Sequence, residues 1–214
     1  MKEILAFDNV RLTYHTRQGE VTALNGLTFS LGEGEFAAMI GPSGCGKSTV
    51  LSLAAGILKP SAGKVTRKGS IGYMLQRDEL FPWRTIEKNL YLPLEVQKKN
   101  TPARRARALE LAEKYGLSGF LKRYPSELSG GMRQRAALIR TLVMEPDILL
   151  LDEPFSALDY QTRLKVASDV SHILRSEQKA ALLITHDISE AVSLADRIFV
   201  LTARPARLLA SHET

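Results

Sequence analysis

Short apolar runs bounded by glycine or polar residues recur along the chain and predict its core strands. Four of these runs are almost uninterrupted, at positions 35–40, 148–151, 180–185 and 197–202. Such runs are typical of strands that are buried on both faces, as in a parallel sheet. Helical patterns alternate with them, at positions 48–56, 160–176 and 189–195. This order predicts right-handed strand–helix–strand crossovers.

The outer segments of the first third follow a different pattern. Apolar and polar residues alternate over 4–14, which predicts an edge strand, and 22–31 is a second strand candidate. Two short strands are predicted around a glycine turn, at 64–67 and 71–75. We expect these four strands to form a small antiparallel sheet beside the parallel core.

Between about residues 77 and 145 the sequence is highly charged and helical, with proline and glycine breaks. This stretch predicts a helical subdomain that is inserted between two core strands. The predicted fold class is α/β, with a parallel sheet flanked by helices, and residues 1–214 are expected to form a single domain. Hydrophobic residues make up 44% of the 214 positions, which suits one globular domain rather than a disordered chain.

Composition and charge narrow the range of partners. The sequence predicts no membrane span, because no apolar stretch approaches the required ~18 residues. One cysteine excludes an intrachain disulfide and suits a reducing cytosol. The net charge of +6 would suit nucleic acid or anionic lipid as a binding partner. A solvated helical face, however, explains much of the excess positive charge. Without a base-stacking motif, no nucleic-acid partner is expected.

Residues 41–49 read GPSGCGKST and fit the spacing G-x-x-x-x-G-K-[ST]. A triphosphate requires many hydrogen-bond donors at short range, and glycines let the backbone approach it closely. The helix that follows adds unpaired N–H groups and its positive dipole end. In this pattern Lys47 reaches the β- and γ-phosphates and Ser48 ligates Mg²⁺. The predicted nucleotide contacts of the loop are Gly41, Pro42, Ser43, Gly44, Cys45, Gly46, Lys47, Ser48 and Thr49.

The thiol of Cys45 is expected to be reactive. A helix N-terminus and the nearby Lys47 ammonium both favour a thiolate, which bound nucleotide would protect. The alternative is an inert small residue that fills the loop.

Two carboxylates, Asp152 and Glu153, follow the predicted strand at 148–151. Strands of this type deliver acids to the carboxyl edge of a parallel sheet, where ligands bind. Asp152 is placed to hold Mg²⁺, and Glu153 is placed to orient or deprotonate an attacking water. An acidic cap at a strand end is the alternative, which the neighbouring phosphate loop disfavours.

Residues 128–135 read LSGGMRQR and begin another predicted helix. The hydroxyl of Ser129 and the free N–H groups around Gly130 and Gly131 would form a second anion site at its N-terminus. An ordinary helix cap is the alternative. The chain therefore carries two phosphate-binding helix starts that are far apart in sequence.

Six motifs follow one another between Tyr14 and His186. They are the phosphate loop, YMLQ at 73–76, LSGGM at 128–132, the strand ending in DE at 152–153, SALD at 156–159 and THD at 185–187. In this order they resemble the ATP-binding cassette subunit of ABC transporters. The resemblance implies a P-loop NTPase core with a small antiparallel β subdomain and an inserted helical subdomain.

The resemblance also implies roles within one ATP site. Tyr14 would stack on adenine. Gln76 would sense Mg²⁺ and the attacking water and link them to a membrane partner. His186 would contact the γ-phosphate and the water. The implied catalytic residues are Glu153, His186 and Gln76, and the implied metal ligands are Ser48, Gln76 and Asp152.

Further implied roles belong to an ATP-dependent, head-to-tail dimer of two copies of the chain. Ser129, Gly130 and Gly131 would bind the γ-phosphate that the second copy holds. Asp159 would couple the two sites. Met132 departs from the pattern, since many members of the family have glutamine there.

The segment LQRDELFPWRT at 75–85 is similar to that of importers for nitrate, sulfonate and taurine, as are Met132 and the LTARP segment at 201–205. Phe81 and Trp83 are then candidates for the groove that receives a coupling helix of the membrane subunit. Local core packing of the two rings is the alternative.

The resemblance implies an ATPase that uses Mg²⁺ and powers solute import through a separate permease. It would lie peripherally on the cytoplasmic face of the cell membrane, in a system with an extracytoplasmic solute-binding protein. An exporter or a lipid- or lipoprotein-extracting ATPase subunit is the alternative within the family. A cassette acting on DNA or ribosomes and a module without hydrolysis are less consistent, the latter because Glu153 and His186 are both present.

Overall fold

The computed structural model describes residues 2–17, 19–156 and 158–214. The strands in these residues are β1 (Glu3–Thr16), β2 (Gly19–Gly32), β3 (Phe36–Ile40), β4 (Ala62–Arg67), β5 (Ile71–Met74), β6 (Ile148–Asp152), β7 (Ala180–Ile184), β8 (Arg197–Leu201) and β9 (Leu208–Glu213). The α-helices are α1 (Lys47–Ala55), α2 (Ile86–Val96), α3 (Pro102–Lys114), α4 (Gly130–Leu142), α5 (Tyr160–Ser176) and α6 (Ile188–Leu194). No helix of the described ranges is both long enough and apolar enough to span a membrane.

The core is a six-stranded sheet in the order β5-β6-β7-β3-β8-β9. Its central strands β6, β7, β3 and β8 pair in parallel, as the apolar runs predict. Ala38, Leu150 and Leu182 on these strands are completely buried, because the sheet is covered on both faces. The α/β core with a parallel sheet that the sequence predicts is therefore present.

A second sheet has three antiparallel strands in the order β2-β1-β4. The ring of Phe7 on β1 stacks on Phe29 of β2, with ring centroids 4.7 Å apart. Phe29 in turn contacts Phe199 of the core sheet at 5.0 Å. The alternating pattern of β1 arises because its apolar side chains enter the core while the intervening ones face away.

The predicted assignment of residues 71–75 to the antiparallel sheet is wrong. Strand β5 lies instead at the edge of the core sheet, beside β6. The preceding residue, Ser70, makes the connection: its N–H and hydroxyl both donate to Asp147 Oδ2, at 2.7 and 2.8 Å. The Ile148 N–H donates to Ser70 O at 3.1 Å. These contacts join segments that are far apart in sequence, so local pattern does not reveal them.

The sequence analysis also missed β9, which pairs antiparallel with β8 and completes the core sheet. Leu209 of this strand is exposed, and only part of the strand is covered. Its apolar pattern is correspondingly weak. The strand forms because the turn after β8 returns the chain along the open edge of that strand.

The described residues separate into two compact units, one formed by those of 1–73, 147–153 and 173–214 and the other by those of 74–146 and 154–172. The second unit contains α2, α3 and α4, each with a serine or threonine at its N-cap. These hydroxyls accept hydrogen bonds from the first turn of each helix. Pro93 lies within α2, although the sequence predicts that the prolines of this stretch interrupt its helices.

Buried Asn89 of α2 organises the loop that precedes this helix. Its Nδ2 donates to the carbonyl oxygens of Phe81, Arg84 and Thr85 at 3.0–3.1 Å. Its Oδ1 accepts from the Phe81 N–H at 2.7 Å. The side-chain amide of Asn89 thus joins Phe81 to Thr85 through hydrogen bonds. Asn89 itself is completely shielded from solvent.

Replacing Asn89 should therefore cost much more stability than replacing an exposed residue of the same helix. Asn89→Ala removes four hydrogen bonds between a buried side-chain amide and the backbone of the loop, and we expect the free energy of unfolding to fall by about 2–4 kcal/mol. Gln97→Ala, at the exposed C-terminus of α2, is the matched control and should change it by less than about 0.5 kcal/mol. Urea denaturation of both variants measures the difference, and equal losses would show that the Asn89 network does not stabilise the fold.

Candidate functional site

The phosphate loop connects the end of β3 to the start of α1, at the carboxyl edge of the parallel sheet. Gly46 has a left-handed φ of 124°, and a Cβ there would lie 3.2 Å from Leu24 Cδ2. Gly44 also has a positive φ, 72°. Both positions favour glycine, because side-chain-bearing residues rarely adopt this backbone conformation.

Lys47 crosses the loop that precedes it. Its side chain is buried, and its Nζ donates to Gly41 O at 2.8 Å and to Pro42 O at 3.1 Å. The ammonium is therefore held inside the loop rather than extended into solvent. This places a fixed positive charge where the motif predicts the β- and γ-phosphates.

Two of the three residues predicted to hold Mg²⁺ lie together. Ser48 Oγ donates to Asp152 Oδ1 at 3.2 Å, although the residues belong to α1 and β6. Burial raises the pKa of Asp152, while the hydrogen bonds from Ser48 and Tyr73 act in the opposite direction. A hydroxyl and a carboxylate are hard oxygen donors of the kind that Mg²⁺ prefers, so this pair fits the ion.

Tyr73 is a neighbour of this pair that the sequence analysis did not assign to the site. Its hydroxyl donates to Asp152 Oδ2 at 3.4 Å. Burial and the adjacent carboxylate raise the pKa of Tyr73 to about 12, so the phenol stays protonated and remains a donor at neutral pH. Tyr73 reaches Asp152 because β5 belongs to the core sheet, which the sequence pattern did not indicate.

Glu153 and His186 meet at the same edge. Glu153 follows β6, and its N–H donates to Ile184 O of β7 at 2.9 Å. Its Oε2 lies 3.1 Å from His186 Nδ1. Glu153 has a left-handed φ of 42°, an uncommon conformation for a residue with a side chain, which is typical of sites held by their surroundings. The carboxylate and the imidazole together can hold and orient a water molecule.

The residues around His186 fix its backbone. The Asp187 N–H donates to Thr185 Oγ1 at 3.0 Å, and Thr185 Oγ1 contacts buried Glu190. Asp187 in turn caps α6, where its carboxylate accepts from the Ser189 N–H at 2.8 Å. His186 is thus the exposed member of an otherwise well-anchored turn.

Tyr14 lies near the end of β1, and its hydroxyl is 3.1 Å from Thr49 Oγ1 in the first turn of α1. The remainder of the ring is partly exposed. An exposed aromatic face beside the phosphate loop is the arrangement that the predicted contact with adenine requires.

Cys45 differs from the expectation of a reactive thiol. Its side chain is 1% exposed and belongs to the hydrophobic core beneath the loop. Its N–H donates to Pro42 O at 3.2 Å. The side chain fills the loop from below, as in the alternative considered above, so any contact of Cys45 with nucleotide is through its backbone.

The serine–glycine helix start forms part of the second unit. Ser129 caps α4, and its Oγ accepts from the Met132 N–H at 3.3 Å. A Cβ on Gly130 would lie 2.9 Å from Leu158 Cδ2, and a Cβ on Gly131 would lie 2.7 Å from Val166 Cγ2. The two glycines therefore let α4 pack closely against its neighbours, while Ser129 remains exposed.

Two further predicted residues belong to this unit. Gln76 Nε2 donates to Ser156 Oγ at 3.4 Å. Asp159 caps α5, and the hydrogen bond from the Thr162 N–H lowers the pKa of its carboxyl. Ala157, between these positions in the SALD motif, lies outside the described residues.

More than half of the chain matches a known protein family. The family model described as "ABC transporter" matches residues 24–156. This chain belongs to the ABC transporter family. It is accordingly an ABC ATPase, and the fold and family that the sequence predicts are confirmed.

Individual relatives of this ABC ATPase cover most of its length. The uncharacterized ABC transporter ATP-binding protein YtlC of Bacillus subtilis is 47% identical, and the alignment covers 95% of this chain and 82% of YtlC. The aliphatic sulfonates import ATP-binding protein SsuB of Bacillus licheniformis is 43% identical, over 88% of this chain and 76% of SsuB.

A solved ABC transporter cassette has the same fold. The dimeric structure of MJ0796 superposes with a TM-score of 0.82 at 31% identity, and 98% of each chain is covered. MJ0796 has also been solved as a dimer in a post-hydrolysis state bound to ADP and Pi.

Proposed function

We propose that this ABC ATPase is the nucleotide-binding subunit of a solute importer of the nitrate, sulfonate and taurine type. The similarity to SsuB, which is named for sulfonate import, is the observation that carries this proposal. The ATPase would act at the cytoplasmic face of the membrane and bind a separate permease. An extracytoplasmic solute-binding protein would deliver the solute.

The proposed catalytic roles follow the contacts at the sheet edge. Lys47 holds the β- and γ-phosphates, and Ser48 and Asp152 hold Mg²⁺, with Gln76 as a further ligand. The ion, when bound, neutralises charge on the phosphate oxygens. Glu153 orients or deprotonates the attacking water, and His186 supports it through the contact at 3.1 Å. Tyr14 stacks on the adenine ring.

The proposed assembly is a head-to-tail homodimer that closes on ATP. Ser129, Gly130 and Gly131 of each copy bind the γ-phosphate held by the other, and Asp159 couples the two sites. The dimeric state of MJ0796 supports this proposal. A two-fold interface of this kind presents the same surface from both copies. Within each copy we propose one ABC domain over 1–214, with residues from about 77 to 145 as the helical subdomain.

The proposed permease contact is an aromatic platform formed by Phe81 and Trp83. The rings stack with centroids 4.9 Å apart, and Trp83 is 71% exposed. The exposure of Trp83 supports the platform over local core packing. The loop beneath them is held by Asn89, and Arg84 forms an ion pair with Glu95 at 2.7 Å. A large apolar surface on a rigid loop is typical of protein interfaces.

Glu153→Gln should keep nucleotide binding and lose most turnover. The amide preserves the size of the side chain but neither accepts a proton nor holds water as strongly, so we expect kcat to fall by on the order of 10²–10⁴. Lys47→Ala is the contrasting variant and should weaken ATP binding itself. Steady-state ATPase assays together with equilibrium ATP binding separate the two effects. Near-normal turnover in Glu153→Gln would remove this residue from the role.

The Glu153→Gln protein should form dimers with ATP and stay monomeric with ADP, because only ATP presents a γ-phosphate to the second copy. Adding Ser129→Arg should abolish the dimer, since the larger cation fills the anion site. Ser126→Arg, on an exposed position of the same unit, is the control and should leave the dimer intact. Light scattering after size exclusion measures the mass, and a dimer that is indifferent to nucleotide would contradict the proposed interface.

Trp83→Ala should separate transport from ATP hydrolysis. It removes the most exposed part of the platform, so we expect the isolated subunit to keep its ATPase rate while uptake by the assembled transporter falls at least about tenfold. Val96→Ala, another exposed apolar residue of the same unit, is the control and should transport normally. Vesicles containing the permease and binding protein, with ATP inside or outside, measure both rate and direction. Normal uptake by Trp83→Ala would exclude the platform, and ATP-driven export would overturn the importer proposal.

A further inference from the structure

The turn between β8 and β9 places an arginine against the phosphate loop. Arg204 Nε donates to Gly44 O at 3.1 Å, and Arg204 Nη2 donates to the same oxygen at 2.7 Å. None of the nucleotide-binding motifs described above includes this residue. We propose that Arg204 is a positioning residue for nucleotide binding, which holds the phosphate loop in its phosphate-accepting conformation.

The orientation of one peptide group explains how such a contact acts. In a trans peptide the C=O and N–H point in opposite directions. Arg204 donates to Gly44 O, and the N–H of the same peptide group, that of Cys45, donates to Pro42 O within the loop at 3.2 Å. The orientation of its peptide groups decides which N–H groups a phosphate loop can present to its ligand. Arg204 would therefore oppose a flip of this peptide.

The loop needs an external anchor at this point. Pro42, Ser43 and Gly44 are exposed, and Gly44 has a positive φ of 72°. Glycine has access to more backbone conformations than other residues, so an unsupported Gly44 peptide would sample several orientations. Two hydrogen bonds from one charged group restrict it, and charge-assisted bonds are stronger than neutral ones.

The turn that carries Arg204 is itself firmly attached. The Thr202 N–H donates to Arg207 O, and the Arg207 N–H donates to Thr202 Oγ1, both at 3.0 Å. Buried Ala206 joins the turn to β2, since its N–H donates to Ala23 O at 2.8 Å and its carbonyl accepts from the Asn25 N–H at 3.0 Å. The guanidinium therefore extends from a rigid base.

The end of β8 also contacts the loop directly. A Cβ on Gly41 would lie 3.1 Å from Leu201 Cβ. Leu201 thus packs beneath the first residue of the loop while Arg204 holds its fourth. Arginine suits the second contact because its planar guanidinium presents two donors to one side, whereas the lysine ammonium acts as a point charge.

The experiment compares Arg204→Ala, Arg204→Lys and Arg207→Ala in the full chain. Arg207 is exposed in the same turn, and its replacement removes the same charge without touching the phosphate loop. We expect Arg204→Ala to raise the Kd for Mg-ATP and Mg-ADP, and the KM for ATP, by roughly tenfold. Its kcat at saturating ATP should stay within about twofold, because bound nucleotide restores the loop. Arg204→Lys should recover part of the affinity, and Arg207→Ala should match the wild type.

Cys45 supplies a second readout that is independent of nucleotide. It is the only cysteine of the chain and is buried next to Gly44. Release of the loop should expose its thiol more often, so Ellman's reagent should label nucleotide-free Arg204→Ala at least about fivefold faster than the wild type. Arg207→Ala should be labelled at the wild-type rate. Thermal unfolding of each variant without nucleotide controls for a general loss of stability.

Three results would overturn the proposal. The first is an unchanged Kd in Arg204→Ala, and the second is an equal loss in Arg207→Ala, which would assign the effect to net charge. The third is a loss of kcat with unchanged KM, which would place Arg204 in a later step. The proposal concerns ATP binding alone, so its outcome is independent of whether the transporter imports or exports.

Discussion

Parallel pairing of the neighbouring strands β6, β7 and β3 is the constraint on which the nucleotide site depends. Residues that follow parallel strands are all delivered to one edge of the sheet. Ser48 and Asp152 are 104 positions apart in sequence yet lie within 3.2 Å. Glu153 and His186 follow adjacent strands and lie within 3.1 Å. Because these strands are buried on both faces, a change of register would disrupt the core. Core packing therefore also fixes the relative positions of the site residues.

The phosphate loop is held from within and from outside. Lys47 bonds to the first carbonyls of the loop, Leu201 and Leu24 pack against its glycines, and Arg204 bonds to the carbonyl of Gly44. Only the lysine and the glycines belong to the motif that defines the loop. The supporting contacts come from the end of β8 and from β2. Preorganised donors bind charge more strongly than flexible ones, so residues outside the motif contribute to how the loop functions.

The second unit illustrates a similar division between support and surface. Asn89 is buried and bonds to Phe81 and Thr85 in the loop before α2, whereas Trp83 between them is exposed. An aromatic surface that is ordered before a partner arrives loses little conformational entropy on binding. The glycines at the start of α4 allow close packing against Leu158 and α5, and Ser129 is exposed at the helix end. In both places a tightly packed residue fixes the position of an exposed one.

The sequence by itself determined the features that depend on local chemistry. The buried strands follow from short apolar runs, and the phosphate loop and the start of α4 follow from glycine and hydroxyl spacing. Asp152 and Glu153 could be assigned to the sheet edge because they end such a strand. The family followed from the order of these motifs. Local signals suffice here because backbone conformation and burial are encoded within a few neighbouring residues.

Only the tertiary structure decided which distant segments became neighbours. In the structure β5 belongs to the core sheet, so Tyr73 lies beside Asp152. The structure also contains β9, and the turn before this strand places Arg204 beside Gly44. The thiol of Cys45 is buried in the core, although the motif alone suggested that it would be exposed. These outcomes depend on strand order and side-chain packing between remote parts of the chain. Such contacts leave no periodic pattern in the segments that make them.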